Sequence, residues 1–268
     1  MSETTPLRPG ALPPRPDVRA AIARAAQATD TDFSYLLGQA RIESGLDPQA
    51  RASTSSAAGL YQFTKSTWLA TLDRHGDEHG LGWASAAIAG GRVSDPALRR
   101  DILALRHDPG IAALMAGELA GDNRAALASA LGREPDAAEL YLAHFLGAAG
   151  AQRFLGGLAA DPGQSAAALF PQAAEANRAI FFAPAGTPRS LGEVMGLMRG
   201  KMAEAMAAEG AGYPATPASE FSTAAAAPEA LPTRRPSMAE TLAATFGGTT
   251  AAPGPVRDAY RKLKAFGL

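Results

Sequence analysis

The sequence predicts an all-α protein with an irregular segment near its start and a long, poorly structured tail. Three observations carry that prediction. Apolar residues make up 47% of the 268 residues and charged residues 19%, an ordinary balance for a chain that buries a core. Alanine is abundant while β-branched residues are scarce, and alanine favours helix because its side chain loses no entropy there. Cap-like residues, Asp, Ser or Thr, stand directly before helix-periodic apolar stretches along the chain.

Residues 1–16 are polar and proline-rich and read as a disordered lead. They lack the basic start, apolar run and small-residue cleavage site of a signal peptide. Asp17 caps a first helix that places Val18 and Ile22 on one face. Asp32 caps a second, with Phe33, Leu36, Leu37 and Ala40 at i, i+3, i+4, i+7; Gly45 is its left-handed stop. Arg51 to Gln62, rich in Ser, Ala and Gly, reads as a loop or a very short hairpin. Thr64 caps the next helix, with Phe63 before the cap and Trp68 inside it as a hydrophobic staple.

Glycines and charges over 75–94 predict irregular structure. Asp95-Pro96 and Asp108-Pro109 each supply a cap and a first helical residue, opening helices over 96–105 and 109–120. Asp136 with Glu139 forms a capping box for a helix that runs through Leu146 and stops at Gly147. Further helices are expected over 148–156, 163–169 and 172–181, and Ser190 with Glu193 opens one reaching Glu209. Residues 210–236 are rich in Ala, Pro, Thr and Ser and read as a linker. Two short helical candidates follow, Ser237 to Phe246 and Pro255 to Phe266. The expected organisation is a lead (1–16), one helical domain (17–208) and a tail (209–268).

Several function classes are excluded or disfavoured. A formal net charge of −1 gives no electrostatic basis for wholesale binding to nucleic acid. There is no cysteine, hence no disulfide and no thiolate metal site. No stretch approaches the ~18 apolar residues of a membrane span. His75 and His79 are four apart, but Gly76 and Gly80 argue against a helix that would align them as ligands, so neither metal nor cofactor is expected.

Glu43 is the candidate for chemistry. It follows Leu36 by seven residues and Ala40 by three, so it shares their buried stripe, and it lies in the last turn of its helix. Burial and the negative end of the helix dipole both disfavour a carboxylate there, as suits the acid that cleaves a glycosidic bond. The competing reading is a glutamate that turns out to solvent at a helix end.

The surrounding residues sharpen the choice. Ile42-Glu43-Ser44-Gly45 is followed by Ser53, then by Ala57-Ala58-Gly59-Leu60-Tyr61-Gln62-Phe63; Ser53 lies ten residues after Glu43 and Gln62 nine after Ser53. This pattern resembles the signature of the soluble lytic transglycosylase family, whose domain is lysozyme-like. The resemblance extends to Ala143-His144-Phe145-Leu146-Gly147-Ala148-Ala149-Gly150, similar to a diverged Tyr-Asn-Ala-Gly-x-Gly segment, and covers residues 25–185. It implies that Glu43 is catalytic acid and base, that Ser53 contacts a sugar N-acetyl group, that Gln62 hydrogen-bonds a sugar and that Tyr61 lines the cleft wall. An amide can both donate and accept, and a glycine-rich loop lets backbone approach a saccharide closely. Two positions depart from the family: Ser56 replaces a Gly, and Phe145 replaces the Tyr whose hydroxyl orients the catalytic Glu. Tyr141, one turn earlier on the same face, and His144 are the candidates to supply the missing polar contact.

The implied activity is cleavage of the β-1,4 bond between N-acetylmuramic acid and N-acetylglucosamine in peptidoglycan, with closure of a 1,6-anhydro ring. It needs one carboxylate, whereas a hydrolase normally needs two. Asp47 falls in an Asp-Pro turn, and Asp73, Asp77 and Glu78 in a charged stretch. The alternatives are a muramidase that hydrolyses the same bond and a non-catalytic wall-binding or assembly module on the same fold. The expected partner is the glycan strand, the expected place of action the periplasm or cell wall, and the expected state a monomer. The tail, with Val256, Tyr260 and Leu263 on one face among Arg257, Arg261, Lys262 and Lys264, is a candidate contact to envelope-spanning secretion or flagellar machinery.

Overall fold

Most of the described helices begin where the sequence places a capping side chain. In the computed structural model, which describes residues 17–53 and 55–208, Asp17 accepts from the backbone N–H groups of Arg19 and Ala20 to open α1 (Val18–Ala28). Asp32 accepts from that of Tyr35 at 2.7 Å to open α2 (Phe33–Ser44). Thr64 caps α3 (Lys65–His75), Asp95 caps α5 (Pro96–Ala104) and Asp108 caps α6 (Pro109–Leu131). Asp136 and Ser190 make reciprocal capping boxes with Glu139 and Glu193 at the starts of α7 (Ala137–Leu146) and α12 (Leu191–Ala207). Each cap satisfies a backbone donor that the helix leaves unpaired, contributing about 1 kcal/mol. The remaining helices are α4 (Gly82–Ser85), α8 (Ala148–Ala160), α9 (Ala166–Leu169), α10 (Pro171–Ala176) and α11 (Arg178–Phe181).

The protein is mostly helical, and the described residues contain no strand, only isolated bridges. Two of these, Arg51 with Ala58 and Ala58 with Phe63, fold the 51–63 segment back on itself without making a hairpin. The 75–94 stretch is irregular apart from a 3-10 turn, Asp77–His79, and the single turn of α4.

Four boundaries differ from the sequence reading. α6 continues eleven residues past 120, to the left-handed Gly132 (φ 68°). The Gly121-Asp122-Asn123 run inside it stays helical because tertiary packing overrides propensity: Asn123 and Leu127 are buried. The helix expected over 172–181 is broken at Asn177, whose side-chain amide donates to the Ala173 carbonyl and competes with the backbone ladder. α9 is shorter than expected, and α8 runs on to Ala160. The tail helices expected over 237–246 and 255–266, and the lead, lie outside the described residues.

α6 is the central element, packed against α1, α3, α7 and α8; α12 lies against α2 and α7. Close crossing needs small residues at one point: Gly117 of α6 faces Thr29, whose Oγ1 would lie 2.1 Å from any added Cβ. The predicted staple is present. Phe63 and Trp68 are buried with ring centroids 5.1 Å apart, edge to face, and the indole N–H donates to the Ile102 carbonyl at 2.9 Å. Burying a side chain such as Phe63 is worth about 1.5–3 kcal/mol. No described helix is long and apolar enough to cross a membrane.

Candidate functional site around Glu43

Glu43 stands in the last turn of α2, which the left-handed Gly45 (φ 62°) terminates. Leu36 and Ala40 on the same stripe are fully buried, and this stripe carries Glu43 to the edge of the core, where its side chain keeps 19% exposure. It therefore has limited access to solvent rather than projecting freely from the helix end.

Two side chains of α7 meet it. His144 Nε2 lies 3.6 Å from Glu43 Oε1, and the imidazole is itself only 12% exposed. Burial pulls the His144 pKa below its ordinary value, and the neighbouring Glu43 charge opposes that shift in part. Tyr141 stacks on His144 with ring centroids 6.3 Å apart. Its hydroxyl is pushed above the usual phenol range, first by burial, then by the charge of Glu43 and hydrogen bonding to it. Tyr141 and His144 thus both converge on the carboxylate. Phe145 instead stacks on Phe181, with centroids 6.3 Å apart.

The loop after α2 is locked in place by polar contacts that sequence reading did not assign. Ser44 donates to the Leu60 carbonyl at 2.8 Å, joining the helix end to the Gly59-Leu60 turn. Arg106 is buried without a carboxylate partner among the described residues. Its guanidinium donates to the carbonyls of Ser56 and Phe63 at 2.8 and 2.9 Å, and of Leu103 at 3.0 Å. Burial, then the charge of Arg51, lowers its pKa. Gly59 adopts φ +81° and presses on this anchor: a Cβ there would fall 1.9 Å from the Arg106 carbonyl oxygen. The glycine of the Gly-Leu-x-Gln stretch is therefore required by contact with the protein's own backbone.

Three other expected site residues sit differently. Tyr61 is fully buried, so it does not line an open wall as the resemblance implied. Its hydroxyl has no hydrogen-bond partner among the described residues, and burial pushes its pKa up. Bulky apolar neighbours in a turn held between α2 and Arg106 explain why the ring points inward. Gln62, at φ 47°, donates its side-chain amide to the carbonyls of Gly59 (2.9 Å) and Ala50 (3.3 Å), so that nitrogen is committed to the loop. Ser53 is exposed, and no hydrogen bond or ion pair among the described residues ties it to Glu43.

Tyr35 is the site residue that the sequence reading missed. It is buried in α2, and its hydroxyl is raised above the usual range by burial first and by Glu43 second. Tyr35, Gln39 and Glu43 recur every four residues, and Gln39 is buried with an unpartnered Oε1. A polar residue at every fourth position, on one face of the helix, was the available signal. Asp47, by contrast, accepts from the backbone N–H of Gln49 and makes a turn. Among the described residues, Glu43 is the one carboxylate acting on Tyr35, Tyr141 and His144. No model of a known protein family matches the chain.

Proposed function

We propose that this chain is a peptidoglycan lytic transglycosylase with a lysozyme-like helical domain, in which Glu43 serves as both acid and base. The observation that carries the reading is the setting of Glu43: a shielded carboxylate at a helix end, faced by Tyr141 and His144, within the Glu-Ser, Ser and Gly-Leu-x-Gln pattern. One carboxylate suffices for the proposed reaction. Glu43 protonates the oxygen between N-acetylmuramic acid and N-acetylglucosamine, and the bond breaks as the substrate's N-acetyl group stabilises the developing cation. Glu43, now ionised, takes the proton of the muramic acid 6-hydroxyl, whose oxygen closes the 1,6-anhydro ring. The nucleophile belongs to the substrate, so its effective concentration is already high and no water is activated. Tyr141 and His144 orient the carboxylate. The reaction places the protein's work in the periplasm or cell wall, with glycan strands as its partner; a contact between the tail and an envelope-spanning machine belongs to the same proposal.

Digestion of purified sacculi by the full chain and by Glu43→Gln, with products read by mass spectrometry, tests this. Anhydro-muropeptides from the wild type alone support the proposal. Reducing-end muropeptides identify a muramidase. Sacculus binding without soluble product from either protein identifies a non-catalytic wall module.

A further inference from the structure

A second polar cluster lies where the end of α3 and the following 3-10 turn meet α6. His75 and Glu78 come from the first segment, Glu118 and Asp122 from successive turns of α6. The chain separation between the two halves hides the cluster from any spacing rule.

The hydrogen bonds fix the orientation of His75. Its Nε2 lies 3.1 Å from Asp122 Oδ2, and Asp122 is also paired with Arg74 at 3.0 Å. An ionised carboxylate only accepts, so Nε2 carries the proton. Nδ1 is then the free atom: it is buried and has no hydrogen-bond partner. Yet it faces two carboxylate oxygens, Glu118 Oε2 at 3.4 Å and Glu78 Oε1 at 3.9 Å. A lone pair aimed at two anionic oxygens is repulsive unless something positive, a second ring proton or a bound cation, lies among them. All three atoms lie within 4.8 Å of one another. Tetrahedral ligands at bond lengths of ~2.1 Å stand ~3.4 Å apart, which is the spacing this cluster approaches and one too long for good N–H···O bonds.

The surroundings match those of a metal ligand set. A ligating histidine usually gives its other N–H to a carboxylate, as His75 does to Asp122. Glu118 is oriented in turn by His79, whose Nε2 lies 2.6 Å from Oε1. Glu78, Glu118 and Asp122 bring three negative charges against the one guanidinium of Arg74, an excess that a divalent cation offsets. Imidazole with carboxylates, and no thiolate, suits zinc and neighbouring first-row divalent ions.

We propose that His75 Nδ1, Glu78 and Glu118 bind a first-row divalent cation, zinc being the fitting probe, with Asp122 and His79 as orienting partners and a fourth position left to water. The cation would join the end of α3 to α6, apart from Glu43 and independent of the reaction proposed there.

The test uses the full chain, stripped with chelator and desalted. Zinc alone is titrated calorimetrically, and metal retained after gel filtration is counted. One zinc per chain is expected, with a rise in Tm, and cobalt in its place should show the visible absorption of a tetrahedral site. Glu78→Gln is the first variant, because that side chain is 65% exposed and its loss leaves the fold intact; it should weaken binding at least tenfold. Asp122→Asn should weaken binding about 10- to 100-fold, and His75→Gln should abolish it. Absence of stoichiometric zinc on folded wild type would overturn the proposal. So would equal affinity in wild type, Glu78→Gln and His75→Gln, which would place the ion elsewhere on the surface.

Discussion

His144 of α7 approaches Glu43 of α2 to 3.6 Å, Nε2 to Oε1, with both side chains more than four-fifths buried. The two residues are a hundred positions apart in the chain, and the pair forms because α12 packs on both α2 and α7. The packed imidazole is held toward its neutral form by burial, so it meets Glu43 as a polar neighbour more than as a fixed cation.

This has a consequence for stability against pH. The native His144 pKa lies below the ordinary 6.5. As pH falls through 6.5, the unfolded chain takes up a proton that the folded chain still refuses, and stability drops until pH passes below the native value. The urea midpoint of the wild type should therefore fall more between pH 7.5 and pH 5 than that of His144→Gln. Equal pH slopes would show that His144 is not held neutral in the native state.

Tyr141→Phe removes the hydroxyl beside Glu43 and keeps the ring that stacks on His144. A hydrogen bond to a charged group is worth about 1.5–3 kcal/mol. On the proposed chemistry kcat on sacculi should fall about 10- to 100-fold with little change in Tm. An unchanged kcat would remove Tyr141 from the site.

Gly59→Ala should unfold the loop that follows α2. The left-handed conformation alone costs about 1–2 kcal/mol, and the added Cβ meets the Arg106 carbonyl at 1.9 Å. A total loss of about 3 kcal/mol or more is expected in chemical denaturation. A loss below about 1 kcal/mol would mean that the loop can move off Arg106 cheaply.

Arg106→Met replaces the buried guanidinium with an apolar chain of similar length. The carbonyls of Ser56 and Phe63 lose their donors, at about 1–3 kcal/mol for each buried acceptor left unpaired. Limited proteolysis should then cut first within 51–63, and native-like protection there would show that water replaces the guanidinium.

Much of the helical frame was legible in the sequence because caps are local. Asp32 binds the N–H of a residue three positions away, and so does Thr64; such contacts are visible in any short window. The Phe63–Trp68 staple is legible for the same reason. The length of α6 was not, since Asn123 and Leu127 stay helical through burial by other elements. Nor was the role of Gly59, whose requirement comes from Arg106, far along the chain.

The candidate site divides the same way. Periodicity placed Glu43 on the buried stripe of α2, and the motif spacing drew attention to Ser53, Tyr61 and Gln62. Whether those side chains turn outward depends on what packs behind them. Tyr61 went into the core and the Gln62 amide into the loop, because Ser44 and Arg106 hold that loop closed from both sides. By itself the sequence determined the capped starts of α1, α2, α3, α5, α6, α7 and α12 and the carboxylate at the end of α2, all set by interactions within about one or two turns. Only the tertiary structure decided that Tyr141 and His144 face Glu43, that Tyr35 feels its charge, and that His75 meets Glu118. Those meetings join residues far apart in the chain, and only the packing of one helix on another sets their distances.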